Sequence, residues 1–482
     1  MKRLDATTWN APRVAIARLK APRYRETPGG DDDACAALSR AATALGWNDA
    51  ERGPLGRVIP NGARVLIKPN FVIHANQSSG GIEPLITHPS LVRAAVDAAL
   101  KAGASRVLVG DAPVQGCDFD HLMAITGLGE WATQLMTTEA RFAGIIDFRR
   151  TTCTFVDGVR IASEDLQAEE RFTLFDLAGD SLLEPVTDNR ASFRVTCYDP
   201  RLMARTHAPG RHQYLITREA LDAEIVINLP KLKTHKKAGI TCALKNLIGI
   251  NGNKEYLPHH RLGGAALGGD CYPGSSLLKR ATEYALDRQN GSRSALSSKL
   301  WHEAAENLNR IAVRRGDQIG VEGSWLGNDT VWRTGLDLNR ILLYGRTDAT
   351  MSDRPQRQVL HIVDAVIAGQ GNGPLSPDPL PLGLILAGSN AAAVDHVGAH
   401  LLGYETARVA IVREAFGDFR WPIAGFKSTD VSISGDLGEG RADEVLPSCE
   451  WPAVSYPAGW RDAARQHAVS NRAQAASTNH QL

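Results

Sequence analysis

Residues 223–228 (AEIVIN) are apolar and rich in β-branched side chains with no sustained polar face, the pattern of a strand buried on both sides. Polarity then inverts: residues 229–237 (LPKLKTHKK) read as the loop leaving the strand's carboxyl end, and a second apolar run follows to Gly249. Upstream, residues 64–69 (RVLIKP) predict a strand and residues 89–102 an amphipathic helix stopped by Gly103, with a further strand at 106–110 (RVLVG). That βαβ alternation predicts parallel pairing and brings Lys68 and Asp111 to strand carboxyl ends on one edge. A strand at 13–19 and a helix at 33–45 extend the alternation, and helical pattern at 329–344 and 391–402 flanks strand-like runs at 359–367 and 382–386. The expected fold is therefore α/β, a mostly parallel open sheet with flanking helices. Residues 276–315, dominated by Ala, Leu, Arg and Glu, predict a helical insertion.

These patterns divide the chain into an α/β core at 1–265 with a lid-like insertion near 118–190, a mainly helical insertion at 266–350, a segment at 351–420 completing the core, and an extension at 421–482 whose polar tail is expected to be loosely ordered. Lys plus Arg number 54 against 53 Asp plus Glu, so no global field favours nucleic acid, and any basic patch is local. No long apolar run and no secretory leader pattern is present, so a cytoplasmic location with no membrane partner is expected. Seven scattered cysteines without a CxxC pair argue against an iron–sulfur cluster, structural zinc or a disulfide framework.

The lysine segment is the candidate site. Lys231, Lys233 and Lys245 are read as anion ligands, with Asn246 beside them, Lys68 and Asn70 from the neighbouring strand end, and Arg333 as a further clamp. His235 and Asp111 are the candidate proton carriers. The plain alternatives are a solvated basic loop, a hydrogen-bonded structural histidine, a capping Asp111, and an ion network of Arg333, Asp337 and Arg340 on one helical face. His88 before Pro89 is expected to open its helix. His259, His260, Asp270 and Cys271 match no recognised metal spacing, so no residue is assigned as a metal ligand, although a divalent metal is left open. Asp364 and Asp395 flank a glycine group at 369–373 that lacks any Walker pattern.

Lys68-Pro69-Asn70, Thr87-His88-Pro89, Gly110-Asp111, the run from Asn228 to His235, Ala243-Leu244-Lys245-Asn246, and Gly388-Ser389-Asn390 followed by Val394-Asp395 form an ordered set spanning roughly 60–405. As a set they resemble the domain of unknown function 362 family. The resemblance implies the α/β fold and no general activity. Some relatives carry ferredoxin-like cysteine clusters, which the cysteines here do not reproduce. A looser similarity to nickel-pincer lactate racemases covers the βαβ core and residues 233–239 and transfers no residue. The expected function is an enzyme acting on a small phosphate- or carboxylate-bearing metabolite. Its alternatives are a non-catalytic binding or regulatory module and a metal-dependent enzyme, and the cofactor, reaction class and any homo-oligomer stay open.

Overall fold

The computed structural model describes residues 11–24, 34–156 and 159–465. One eleven-stranded sheet organises them. Its strands are β1 (Arg13–Arg18), β2 (Arg64–Pro69), β3 (Arg106–Asp111), β4 (Phe142–Asp147), β5 (Ile225–Leu229), β6 (Lys231–His235), β7 (Gly239–Thr241), β8 (Gln358–Asn372), β9 (Ser376–Gly388), β10 (Ser432–Gly435) and β11 (Gly440–Arg441). They run in the order β11-β10-β1-β9-β8-β5-β2-β3-β4, with β6 also paired to β8 and β7 paired to β6. The half from β8 to β4 is parallel throughout, whereas β9 is antiparallel to both of its neighbours.

The parallel half follows from its sequence. The two-sided burial of β5, five residues long and buried at each, leaves Asn228 as the one polar side chain in an apolar strand. Helix α1 (Ala34–Ala44) and helix α2 (Pro89–Lys101) cover one face, sharing a core with Val65, Ile67, Val107, Ile225 and Ile227. His88 is the N-cap of α2, with Pro89 behind it in the first turn. The opposite face is covered near β5 by the short helix α3 (Ala243–Asn246) and by α6 (Val331–Tyr344), and near β9 by α7 (Ala391–Leu401). Helices α4 (Leu277–Asn290) and α5 (Ala295–Arg314) pack on each other.

Three segments differ from the sequence expectation. Residues 142–147, placed in a lid-like insertion, form β4 and extend the sheet, their weak alternation reflecting an edge strand with only one well-covered face. The lysine segment leaving β5 is not a loop. Pro230 has no N–H to continue the β5 ladder, and its carbonyl accepts from Asp364 N at 2.9 Å; the chain then restarts as β6 along the far half of the long β8, and turns back as β7. Finally, residues of the expected extension supply β10 and β11, and Trp460 is buried against Gly239, so the packed structure reaches past the start of the predicted tail. The end of that tail, 466–482, lies outside the described residues. Among the described residues no helix is long and apolar enough to cross a membrane.

Candidate functional site

In-register parallel pairing sets Asn228 beside Lys68, and the carboxyl ends of β2, β3 and β5 converge. Lys68 Nζ lies 2.7 Å from Asp111 Oδ1 and also donates to the Pro69 carbonyl and to Asn246 Oδ1. The other Asp111 oxygen accepts from Phe71 N at 2.7 Å. Asn246 Nδ2 donates to Asn228 Oδ1, whose own amide donates to the Ala243 carbonyl and so ties α3 to the sheet. Gly249 permits this closeness: a Cβ there would sit 2.0 Å from Asp111 Oδ1 and 2.7 Å from Lys68 Nζ. Burial lowers the Lys68 pKa and Asp111 opposes the shift, so the two charges hold each other.

A second closed pair lies along β8. Lys231 Nζ is 2.7 Å from Asp364 Oδ2 and 2.7 Å from the Tyr24 hydroxyl, which donates to Asp364 Oδ1. His88 N completes the shell of the carboxylate at 2.9 Å, and the His88 ring stacks on Tyr24 with centroids 3.6 Å apart. Burial holds His88 down at about 4, so its ring is neutral at physiological pH.

Three ammonium groups remain without such a partner. Among the described residues no carboxylate comes within ion-pair distance of Lys233, Lys245 or Lys254. Lys233 donates to the Leu85 carbonyl and Lys254 to the Ala112 carbonyl at 3.3 Å. Burial first, then neighbouring cations, lower all three: Lys245 to about 7 under Lys254, Lys237 and Lys68, and Lys254 to about 8 despite the opposing pull of Asp111. His235 and His259 feel the same field, each held well below its ordinary range by burial and then by Lys245. Their ring nitrogens are assigned by their partners. His235 Nδ1 accepts from Lys237 N and Ala238 N, so its Nε2 carries the proton of the neutral ring. His259 Nδ1 donates to the Leu257 carbonyl at 2.7 Å, so its Nε2 offers a lone pair. Asn70 Oδ1, both polar atoms of Gln115 and Thr241 Oγ1, on the segments leaving β2 and β3 and on β7, are buried without a hydrogen-bond partner.

The geometry redistributes the roles read from the sequence. Lys68, Asp111, Asn246 and Lys231 build the walls of the rim, because each is occupied by another protein group. Asp111, expected to carry protons, has both oxygens engaged, and His235 rests as a donor rather than a base. Lys233 and Lys245 have no carboxylate partner among the described residues. Arg333 stands apart: its guanidinium is taken by Asp329, by the Leu182 carbonyl at 2.7 Å and by the Trp332 ring, while Asp337 joins Arg340, Ser181, Leu182 N and Tyr214. That helix face is a structural ion network. Asp270 is likewise committed, to Arg261 N, Asp329 N and Thr330. Lys254 and Tyr24 carried no strand-end signal; only the Asn251-Gly252-Asn253 turn before Lys254 marked a close backbone approach. Asp395, raised to about 7 by burial, accepts from Leu244 N and anchors α7 to α3 next to Lys245. A separate cavity of about 340 Å³ lies under the α4–α5 hairpin and touches this region only through Lys236.

A mostly parallel sheet with lysines gathered at its strand ends defines an α/β protein. The chain belongs to the domain of unknown function family DUF362, whose model matches residues 65–169 and 188–400. It is 23% identical over 358 residues to the Thylakoid-associated protein sll1697 of Synechocystis sp., covering 74% of this chain and 68% of that protein. Among solved structures it is similar to a Thermotoga maritima protein (8% identity, TM-score 0.29, 74% of this chain and 55% of that one). It is also similar to the lactate racemase apoprotein of Thermoanaerobacterium thermosaccharolyticum (10% identity, TM-score 0.29, 84% and 59%). The chain thus spans little more than half the length of either structure.

Proposed function

We propose that this protein is an enzyme for a small metabolite carrying a phosphate or more than one carboxylate, bound where Lys233, Lys245 and Lys254 meet. One observation carries the reading: Lys233, fully buried, and Lys245 and Lys254, half-buried, have no carboxylate partner, beside two ion pairs that are each matched one to one. Leaving a buried charge without its partner costs roughly 3–5 kcal/mol, and an anionic ligand among these three side chains would supply the counter-charge and hold them protonated. The rim is also equipped for proton transfer. His259 Nε2 is a lone pair, His235 Nε2–H a donor, and Lys245 titrates near neutrality, so a bound substrate meets both a base and an acid.

The test is a thermal-shift screen of phosphorylated metabolites and dicarboxylates, with calorimetry and product analysis of each hit. A binder is expected to raise the melting temperature of the wild type and to bind at least tenfold more weakly to Lys233→Ala and Lys245→Ala. Equal affinity in both variants would remove the site. Binding without any product over long incubation would make the protein a ligand-holding module instead of an enzyme.

A further inference from the structure

Away from the cationic rim, on the far side of α7, His396 and His400 stand one helical turn apart with both rings buried. Both Nε2 atoms point at one oxygen: His396 at 2.9 Å and His400 at 2.7 Å from Oδ1 of Asp443, which lies in the helix Ala442–Val445 near the C-terminal end of the sheet. One ligand atom from each of the three residues falls within 4.8 Å of the others, and no other such group of three metal-ligating side chains occurs among the described residues. The core side of the cluster is apolar, since α7 packs through Val394, Val397 and Leu401 into the core and the His396 ring meets Phe416 edge-on, while the Arg465 guanidinium lies against His400. An apolar helix face needs no imidazole, and two of them converging on a carboxylate is a donor set of two nitrogens and one oxygen.

We propose that His396, His400 and Asp443 form a binding site for a divalent transition-metal ion of the zinc type. Zinc takes His nitrogen and carboxylate oxygen at about 2.0–2.2 Å in a tetrahedral arrangement, which sets neighbouring ligand atoms about 3.3 Å apart. Two of the three separations, 2.7 and 2.9 Å, widen to that value by movements of about half an ångström, and the third, between the two imidazoles, lies within 4.8 Å. Asp443 is partly exposed, which gives the ion an entry path and leaves the fourth position to water. Two contacts bear on the site. The second nitrogen of His396, Nδ1, is buried without a hydrogen-bond partner, so Asp443 holds the ring's one hydrogen bond. The Arg465 guanidinium contacts His400 Nδ1; because a guanidinium cannot accept the N–H that a metal-bound ring presents there, Arg465 must swing aside when the ion enters. A bound ion would brace α7 from outside, and on its inner side the same helix holds Leu244 N through Asp395.

The competing arrangement is a hydrogen-bonded His–Asp–His cluster with no affinity for metal. Full-length protein stripped with chelator and titrated with zinc against a chromophoric competitor is expected to take up about one ion per chain, with affinity reduced by tenfold or more in His400→Ala and Asp443→Asn. Should those variants fold poorly, the wild type alone decides. Cobalt(II) is expected to give a visible ligand-field spectrum with nitrogen coordination, and zinc to protect His396 and His400 from diethyl pyrocarbonate, read by peptide mass spectrometry. No uptake by the wild type, unchanged affinity in both variants, or protection confined to other histidines would overturn the proposal.

Discussion

Replacing Lys245 by Met separates a binding role from a structural one, because the two predict opposite signs for stability. The Lys245 ammonium titrates at about 7 in the folded protein against 10.5 ordinarily, and each pH unit of that gap corresponds to about 1.4 kcal/mol. Holding the amine charged therefore costs up to about 5 kcal/mol, and near pH 7 about 4. The Lys245 side chain is not wholly sealed from water, so we halve the figure: Met, which fills similar space without charge, is expected to stabilise the ligand-free protein by about 2 kcal/mol. The pH dependence follows with its sign. Between about 7 and 10.5 the unfolded chain holds a proton that the folded chain has released, so wild-type stability rises with pH across that window. Lys245→Met loses its share of the rise and keeps the share from Lys254, which titrates at about 8. Urea unfolding at pH 7.5 and 9.5 at low salt measures both quantities. A variant less stable than the wild type, or a wild-type curve flat across the window, would refute the reasoning.

The closed pair at the rim should behave in the opposite way. Lys68→Met and Asp111→Leu are each expected to destabilise by about 3–5 kcal/mol, and the Lys68→Met/Asp111→Leu double variant by clearly less than the sum, as read from denaturant midpoints. Gly249→Ala drives a methyl into that pair, 2.0 Å from Asp111 Oδ1, and is expected to cost at least about 2 kcal/mol and to weaken anion binding in calorimetry. Trp460→Ala removes the ring packed on Gly239 and its hydrogen bond to the Lys236 carbonyl; a loss of about 3–5 kcal/mol, with faster amide exchange in β6 and β7 seen by mass spectrometry, is expected.

How far the chain was legible depended on whether a residue's environment is local. The strands β2, β3 and β5 announce themselves through continuous apolar runs, and the convergence of Lys68 with Asp111 follows from parallel pairing alone. The hairpin of β6 and β7 does not. Its lysines read in sequence as anion ligands on a strand-end loop, yet the carbonyl that receives Lys233 belongs to Leu85 and the carboxylate that receives Lys231 to Asp364, both more than a hundred positions away in sequence. The same holds for Lys254 and Tyr24, which reach the rim from a turn and from the chain's beginning with no periodicity to mark them. Arg333 illustrates the reverse error. A guanidinium on a helix beside a tryptophan looks available in sequence, and only the fold shows Asp329 and Leu182 already holding it.

The most direct test of the cationic rim is a crystal of the wild-type protein soaked in tungstate, a dense tetrahedral anion of phosphate shape. An anomalous peak enclosed by Lys233, Lys245 and Lys254, close to His259 Nε2, is the predicted result. Tungstate bound elsewhere on the molecule, with those three ammonium groups left without an anion among them, would contradict it.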